Sequence, residues 1–202
     1  VIESDIKDKV LKAMGEYDYN SYTAADVERA LSHETCLIED FKAFLSPAAA
    51  PYLEQMARKA EEITKNHFGN TVYIFTPLYI ANYCQNYCIY CGFNCYNNIR
   101  RKKLNFQEIE HEMQVIAKTG MEEILLLTGE SRKYSDVEYI GEAVKIARKY
   151  FKNIGIEIYP VNVDEYKYLH ECGVDYVTVF QETYNSDKYE TLHLAGHKRI
   201  FP

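Results

Sequence analysis

Three cysteines stand close together in the stretch NYCQNYCIYCGF, at Cys84, Cys88 and Cys91, separated by three residues and then by two. Three thiolates from one short loop can hold three irons of a 4Fe-4S cluster and leave the fourth iron open to a substrate or cofactor. Structural zinc takes a closed set of four ligands, usually as two separated pairs, and ordinary ferredoxin clusters take four cysteines. Cys95 could complete either set, so a zinc site or a closed electron-transfer cluster remains open as a reading, although C-x3-C-x2-C-x3-C suits neither well. Cys36 and Cys172 read as buried small hydrophobes.

A second group of polar residues falls where strands should end. Thr128, Gly129 and Glu130 follow the apolar run EEILLL; the glycine allows close backbone approach, and the glutamate can accept hydrogen bonds from an ammonium group. An ordinary turn would look the same. Glu157, Gln181 and Glu182 interrupt otherwise apolar strand runs, and such groups need partners, either within the protein or on a nucleoside. RRKK at 100–103 reads first as a solvated charge run, alternatively as a cationic patch for a carboxylate or an acidic electron donor. His33, His67, His111 and His170 read as surface or structural histidines, and His193 receives no role.

The elements that must position these groups are α/β in type. Residues 1–70 form a helical region, with Thr23 and Asp26 as a cap, an apolar stripe of Leu53, Met56, Ala57, Ala60 and Ile63, and a stop at Gly69. From 71 to 202, apolar strands alternate with amphipathic helices. The strands are expected at 71–80, 122–128, 153–160 and 176–183. Asn105 with Glu108 opens one helix, a Ser135/Glu138 capping box the next, DEYKYLHEC supplies a third, and a short last helix begins near Ser186. Alternating strands and helices imply a parallel sheet with right-handed crossovers. About four βα units make half of an eight-fold TIM-type barrel, so a partial (β/α) barrel belonging to a larger protein is expected. In such barrels working groups sit on loops after the strands, which is where the cysteines and TGE fall.

With 23 Lys and Arg against 30 Asp and Glu, the net charge is -7, and neither nucleic acid nor an anionic membrane is an expected partner. No apolar stretch approaches the ~20 residues of a membrane span, and the charged start lacks a signal-peptide core. A cytoplasmic protein with reduced thiols is expected.

The cysteine spacing, with Tyr90 just before the third cysteine, closely resembles that of the radical S-adenosylmethionine superfamily. TAADVERAL, LSPAAAPYLEQMA, FGNTVYIFTPLYIANYC, CGF with NIRRKKL, LLLTGE and VTVFQETY are similar to the tyrosine lyases of thiamine biosynthesis. A related group in iron-iron hydrogenase maturation shares several of these segments. The resemblance implies Cys84, Cys88 and Cys91 as ligands of a 4Fe-4S cluster. It implies Tyr90, Thr128, Gly129 and Glu130, with Glu157, Gln181 and Glu182, as contacts to S-adenosylmethionine. It further implies a 5′-deoxyadenosyl radical acting on L-tyrosine, cleavage of the Cα–Cβ bond, and p-cresol and 2-iminoacetate as products. Thiazole synthase and a reduced flavodoxin or ferredoxin are the implied partners. No side chain is singled out as an acid–base catalyst.

Overall fold

The computed structural model describes residues 5–200. The chain divides into two compact units between Val72 and Tyr73. The first contains the helices α1 (Asp5–Glu16), α2 (Ala24–Ser32) and α3 (Ile38–Phe44), a 3-10 turn over Pro47–Tyr52, and α4 (Leu53–Phe68). The α2 cap is the expected one, since Thr23 N–H donates to Asp26 Oδ2 at 2.9 Å while Asp26 N–H donates to Thr23 O. Val27, Ala30, Ala43 and Ala49 form a small core against which Met56 of α4 packs. Cys36 lies exposed between α2 and α3, against the expectation of burial, because it falls in the turn rather than on either helix's inner face.

In the second unit a sheet of four parallel strands carries the order β1 (Thr76–Ala81), β3 (Glu123–Thr128), β4 (Asn153–Glu157), β5 (Tyr176–Thr178), with a short β2 (Tyr87–Cys88) lying between β1 and β3 in the chain. Each crossover is one helix: α5 (Phe106–Ala117), α6 (Val137–Ala147) and α7 (Val163–Cys172). Sequential parallel neighbours joined by helices are the arrangement of a (β/α) barrel, here a partial one. Then come α8 (Ser186–Leu192), β6 (His193–Ala195), which pairs antiparallel with β2, and a 3-10 turn over His197–Ile200.

Period-two alternation divides the strand residues. Ile124 and Leu126 of β3, with Ile154 and Ile156 of β4, are fully buried among Ile109, Met113, Ile140, Val144 and Leu169 of the helices. Leu126→Ala should therefore destabilise this unit by about 2–5 kcal/mol through lost burial and a cavity. A urea midpoint within error of the parent's would show that the strand is not packed as described. The opposite face carries Tyr79, Leu127, Glu157 and Thr178 in one register row across all four strands.

Several expected boundaries move. The first strand starts at Thr76 rather than 71, because β3 offers its first partner, Ile124, opposite Thr76. The last ends at Thr178 rather than 183, because β4 ends at Glu157, its partner. The third ends there too, rather than at 160. Helix α6 is capped by Asp136, whose Oδ1 accepts from Tyr139 N–H at 2.8 Å, and not by Ser135. Ser135 is buried and donates instead to the carbonyls of Gly129 and Ser131.

Candidate cluster and cofactor site

The loop after β1 is a succession of tight turns. Cys91 N–H donates to Cys88 O and Asn94 N–H to Cys91 O, each at 3.1 Å. The buried Asn94 side chain accepts from Tyr96 and Asn97 N–H and donates to Cys91 O at 2.9 Å, which ties down the residues after the third thiol. Cys84 and Cys91 are half-buried and Cys88 is buried. All three line one cavity of about 750 Å³ at the C-terminal ends of the strands, whose floor is the Tyr79, Leu127, Glu157 and Thr178 row. That volume lies within the ordinary range for small-molecule sites. Cys95 is exposed and absent from the lining. Burial pushes the Cys88 thiol up to about 11; Lys198 opposes the shift, and Cys91 and Cys84 add to it.

Arg101 closes this loop. Its Nη1 donates to Asn82 O at 2.7 Å and Phe93 O at 2.8 Å, and Nη2 to Asn94 O at 2.6 Å, so one guanidinium joins both feet of the cysteine segment. Asn82 in turn braces residues 100–102, donating to Arg100 O and accepting from Lys102 N–H. RRKK is thus not a uniform solvated run: Lys102 pairs with Glu108 and Lys103 lies over the Tyr139 ring, and Arg101 is spent on carbonyls. A lysine ammonium lacks the fork needed to reach both feet. Arg101→Lys should therefore cost about 2 kcal/mol or more of local stability and lower the iron retained per chain after anaerobic reconstitution. Full iron retention would show that the loop holds its shape unaided.

TGE sits against the cysteine loop. Gly129 N–H donates to Ala81 O at 3.0 Å, and a Cβ at Gly129 would lie 2.3 Å from Tyr83 O and 3.1 Å from Cys84 Cβ. Only glycine lets the two loops approach this closely. Glu130 O accepts from Gln85 N–H at 2.9 Å, and the Tyr83 and Tyr134 rings stack at 3.9 Å. The Glu130 carboxylate meets Asn86 Nδ2 at 2.5 Å through one oxygen and His197 Nδ1 at 3.1 Å through the other. Thr128 Oγ1 is buried with no hydrogen-bond partner among the described residues.

Glu157, Gln181 and Glu182 all line the cavity with Thr128, Gly129 and Glu130. Burial raises the Glu157 carboxyl above the usual range, Glu182 adds to this and Lys198 opposes it. Gln181 and Glu182 lie beyond β5, in a loop where Glu182 adopts φ 69° and pairs with Lys198. Tyr90 is outside the lining; its hydroxyl meets Nε2 of the fully buried His193 at 2.7 Å. Because Tyr189 O can only accept, His193 Nδ1 donates to it at 2.8 Å, and Nε2 is the atom that meets Tyr90.

Asn86, His197 and Lys198 line the cavity and were not singled out by sequence reasoning, which read Arg101 only as part of the RRKK run. The one available signal was the run of asparagines through the cysteine loop, a residue type that bonds to nearby backbone. His197 and Lys198 are brought in by the β2–β6 pairing, which no local pattern announced.

The Radical SAM superfamily matches residues 78–201, and the chain belongs to that superfamily, whose members pair a 4Fe-4S cluster with S-adenosylmethionine. It is 42% identical over 182 residues to the 2-iminoacetate synthase of Escherichia coli (strain K12), covering 90% of this chain and 48% of that protein. It is 30% identical over 160 residues to the 3-methylornithine synthase of Methanosarcina acetivorans, covering 78% and 45%. Among solved structures, HydG, a maturase of the FeFe-hydrogenase, matches with a TM-score of 0.79 at 28% identity, over 98% of this chain and 45% of that one. The chain thus spans about half the length of the curated relatives it matches.

The residues present fit the superfamily's cofactor pair. Three thiols on the cavity, with Cys95 outside it, match in number and kind the donors that a cluster with one open iron takes. Among the described residues no three His, Cys, Asp or Glu side chains converge closely enough for a single metal ion. The Thr128 hydroxyl, without a partner among the described residues and bordering the cavity, is a feature that a bound polar ligand completes. No helix among the described residues is long and apolar enough to cross a membrane.

Proposed function

We propose that this chain carries the cluster- and cofactor-binding part of a tyrosine lyase of the 2-iminoacetate synthase type. In that reaction the Cα–Cβ bond of L-tyrosine breaks and the fragments leave as p-cresol and 2-iminoacetate. The observation that carries the cofactor half of this reading is the opening of three thiols and the Glu130 carboxylate onto one cavity at the ends of the strands. The substrate half is supported by 42% identity over 90% of the chain. The fold likeness to HydG also supports a hydrogenase-maturation relative, at the lower identity of 28%.

Bound together, the cluster and S-adenosylmethionine supply one-electron chemistry that makes hydrogen abstraction from an unactivated position accessible. The chain's own groups do the holding. Cys84, Cys88 and Cys91 ligate iron, and Glu130 accepts hydrogen bonds from the cofactor's ammonium group. Thr128 Oγ1 and Gly129 border the same ligand, while Glu157, Gln181 and Glu182 face its nucleoside. Tyr90 acts from the cysteine loop, its hydroxyl held on His193. Tyr79 and Leu127 supply the apolar part of the floor. Thiazole synthase as acceptor of the unstable imine, a reduced flavodoxin or ferredoxin as electron donor, and a cytoplasmic location complete the proposal.

The test is anaerobic reconstitution followed by electron paramagnetic resonance of the reduced chain, with and without S-adenosylmethionine, and assay of p-cresol from tyrosine. A signal altered by the cofactor is the expected result, and p-cresol released with it would support the whole reading. An unaltered 4Fe-4S signal would remove the cofactor assignment; an altered signal without p-cresol would leave the cofactor-binding part standing and remove lyase turnover by this chain.

A further inference from the structure

Asn86 lies between the first two cysteines, is 3% exposed and borders the cavity. Its Nδ2 donates to Glu130 Oε2 at 2.5 Å, its Oδ1 accepts from Lys198 N–H at 3.1 Å, and its backbone carbonyl accepts from Cys95 N–H at 2.9 Å. One amide therefore links the thiol loop, the carboxylate after β3 and the segment after β6. Gly196 shows how tightly it is seated: a Cβ there would fall 2.3 Å from Asn86 Oδ1 and 2.7 Å from its Cα. Asn86 and His197 each bond a different oxygen of Glu130, which sets the plane of the carboxylate. A carboxylate has about four lone-pair sites, so two remain for a ligand.

We infer that Asn86 is a positioning residue, fixing the Glu130 carboxylate relative to the three thiols so that the iron-binding loop and the ammonium-binding acid form one unit. This rests on the reading of Glu130 in the proposed function. It assigns Asn86 no contact with iron. The amide's polarity is what matters: an aspartate of the same shape keeps the acceptor for Lys198 N–H but turns an acceptor toward Glu130, and the two carboxylates repel.

Asn86→Asp tests this, with iron per chain and S-adenosylmethionine affinity measured anaerobically on the same samples. The expected result is parental iron content with the dissociation constant raised about 10- to 100-fold, the usual effect of losing a partner that orients a ligand-binding group. In a Glu130→Gln background the second substitution should add nothing, because its target is already gone; a merely structural role would add its cost there as well. Parental affinity in Asn86→Asp overturns the inference. Absence of binding by the parent chain overturns the proposed function instead. If Asn86→Asp does not load iron, Asn86→Ser carries the same comparison, its hydroxyl too short to reach Glu130 and uncharged. A folded chain that loads no iron in either variant would show that Asn86 serves the thiols themselves, and would also overturn the inference.

Discussion

Cys88→Ser is expected to abolish the cluster: reconstituted protein should show none of the broad visible absorbance and no iron above background. The same should hold for Cys84→Ser and Cys91→Ser, because all three thiols open on one cavity and a serine hydroxyl does not replace a thiolate on iron. Cys95→Ser should retain the parental iron content, since that thiol is exposed and lies off the cavity. The four substitutions together separate an open-iron cluster from a closed one. An iron-free Cys95→Ser protein would contradict the three-thiol assignment, as would a fully loaded Cys88→Ser protein.

Gly129→Ala should cost nearly as much while altering no ligand. The new methyl would sit 2.3 Å from Tyr83 O, 2.9 Å from Tyr83 C and 3.1 Å from Cys84 Cβ, and the first two of these are backbone atoms, so the cysteine loop itself must shift. Overpacking of this kind costs about 1–3 kcal/mol, and the displacement falls on the residue carrying the first thiol. Iron content should drop sharply, and any cluster that forms should lose its spectral response to S-adenosylmethionine. Parental iron and a normal response would show that the two loops do not rely on this close approach. Thermal unfolding measured alongside would reveal whether the loss is local, as expected, or global.

Part of this candidate site was legible in the sequence because its signals are local. C-x3-C-x2-C offers three thiols, with Cys95 left open as a fourth, and TGE after an apolar run marks a strand end. The parallel sheet followed from apolar strands, EILLLT among them, alternating with amphipathic helices. The Asn105 and Glu108 cap was equally readable, and Asn105 Oδ1 indeed accepts from Glu108 N–H at 2.9 Å. Strand ends were less legible: a strand stops where its neighbour stops, as β5 does opposite Glu157, and a chain read alone does not display its neighbour's length. The Ser135/Glu138 box failed for a related reason. Ser135 has stronger calls on its hydroxyl and carbonyl from Ser131, Gly129 and Tyr159, and Asp136 one position later takes over the cap. Arg101 was hidden by the company of three other cations, since only the fold distinguishes a guanidinium spent on carbonyls from one in water. His193, His197 and Lys198 reach the site through pairing between distant segments, which leaves no periodic trace.

That pairing also orders events in time. The Tyr90–His193 hydrogen bond joins residues 103 positions apart, and the Asn86–Lys198 bond residues 112 apart. Closing contacts so distant costs chain entropy that nearby contacts do not, and they form late. The thiol segment of a growing polypeptide thus leaves the ribosome long before the residues that complete its surroundings have been made.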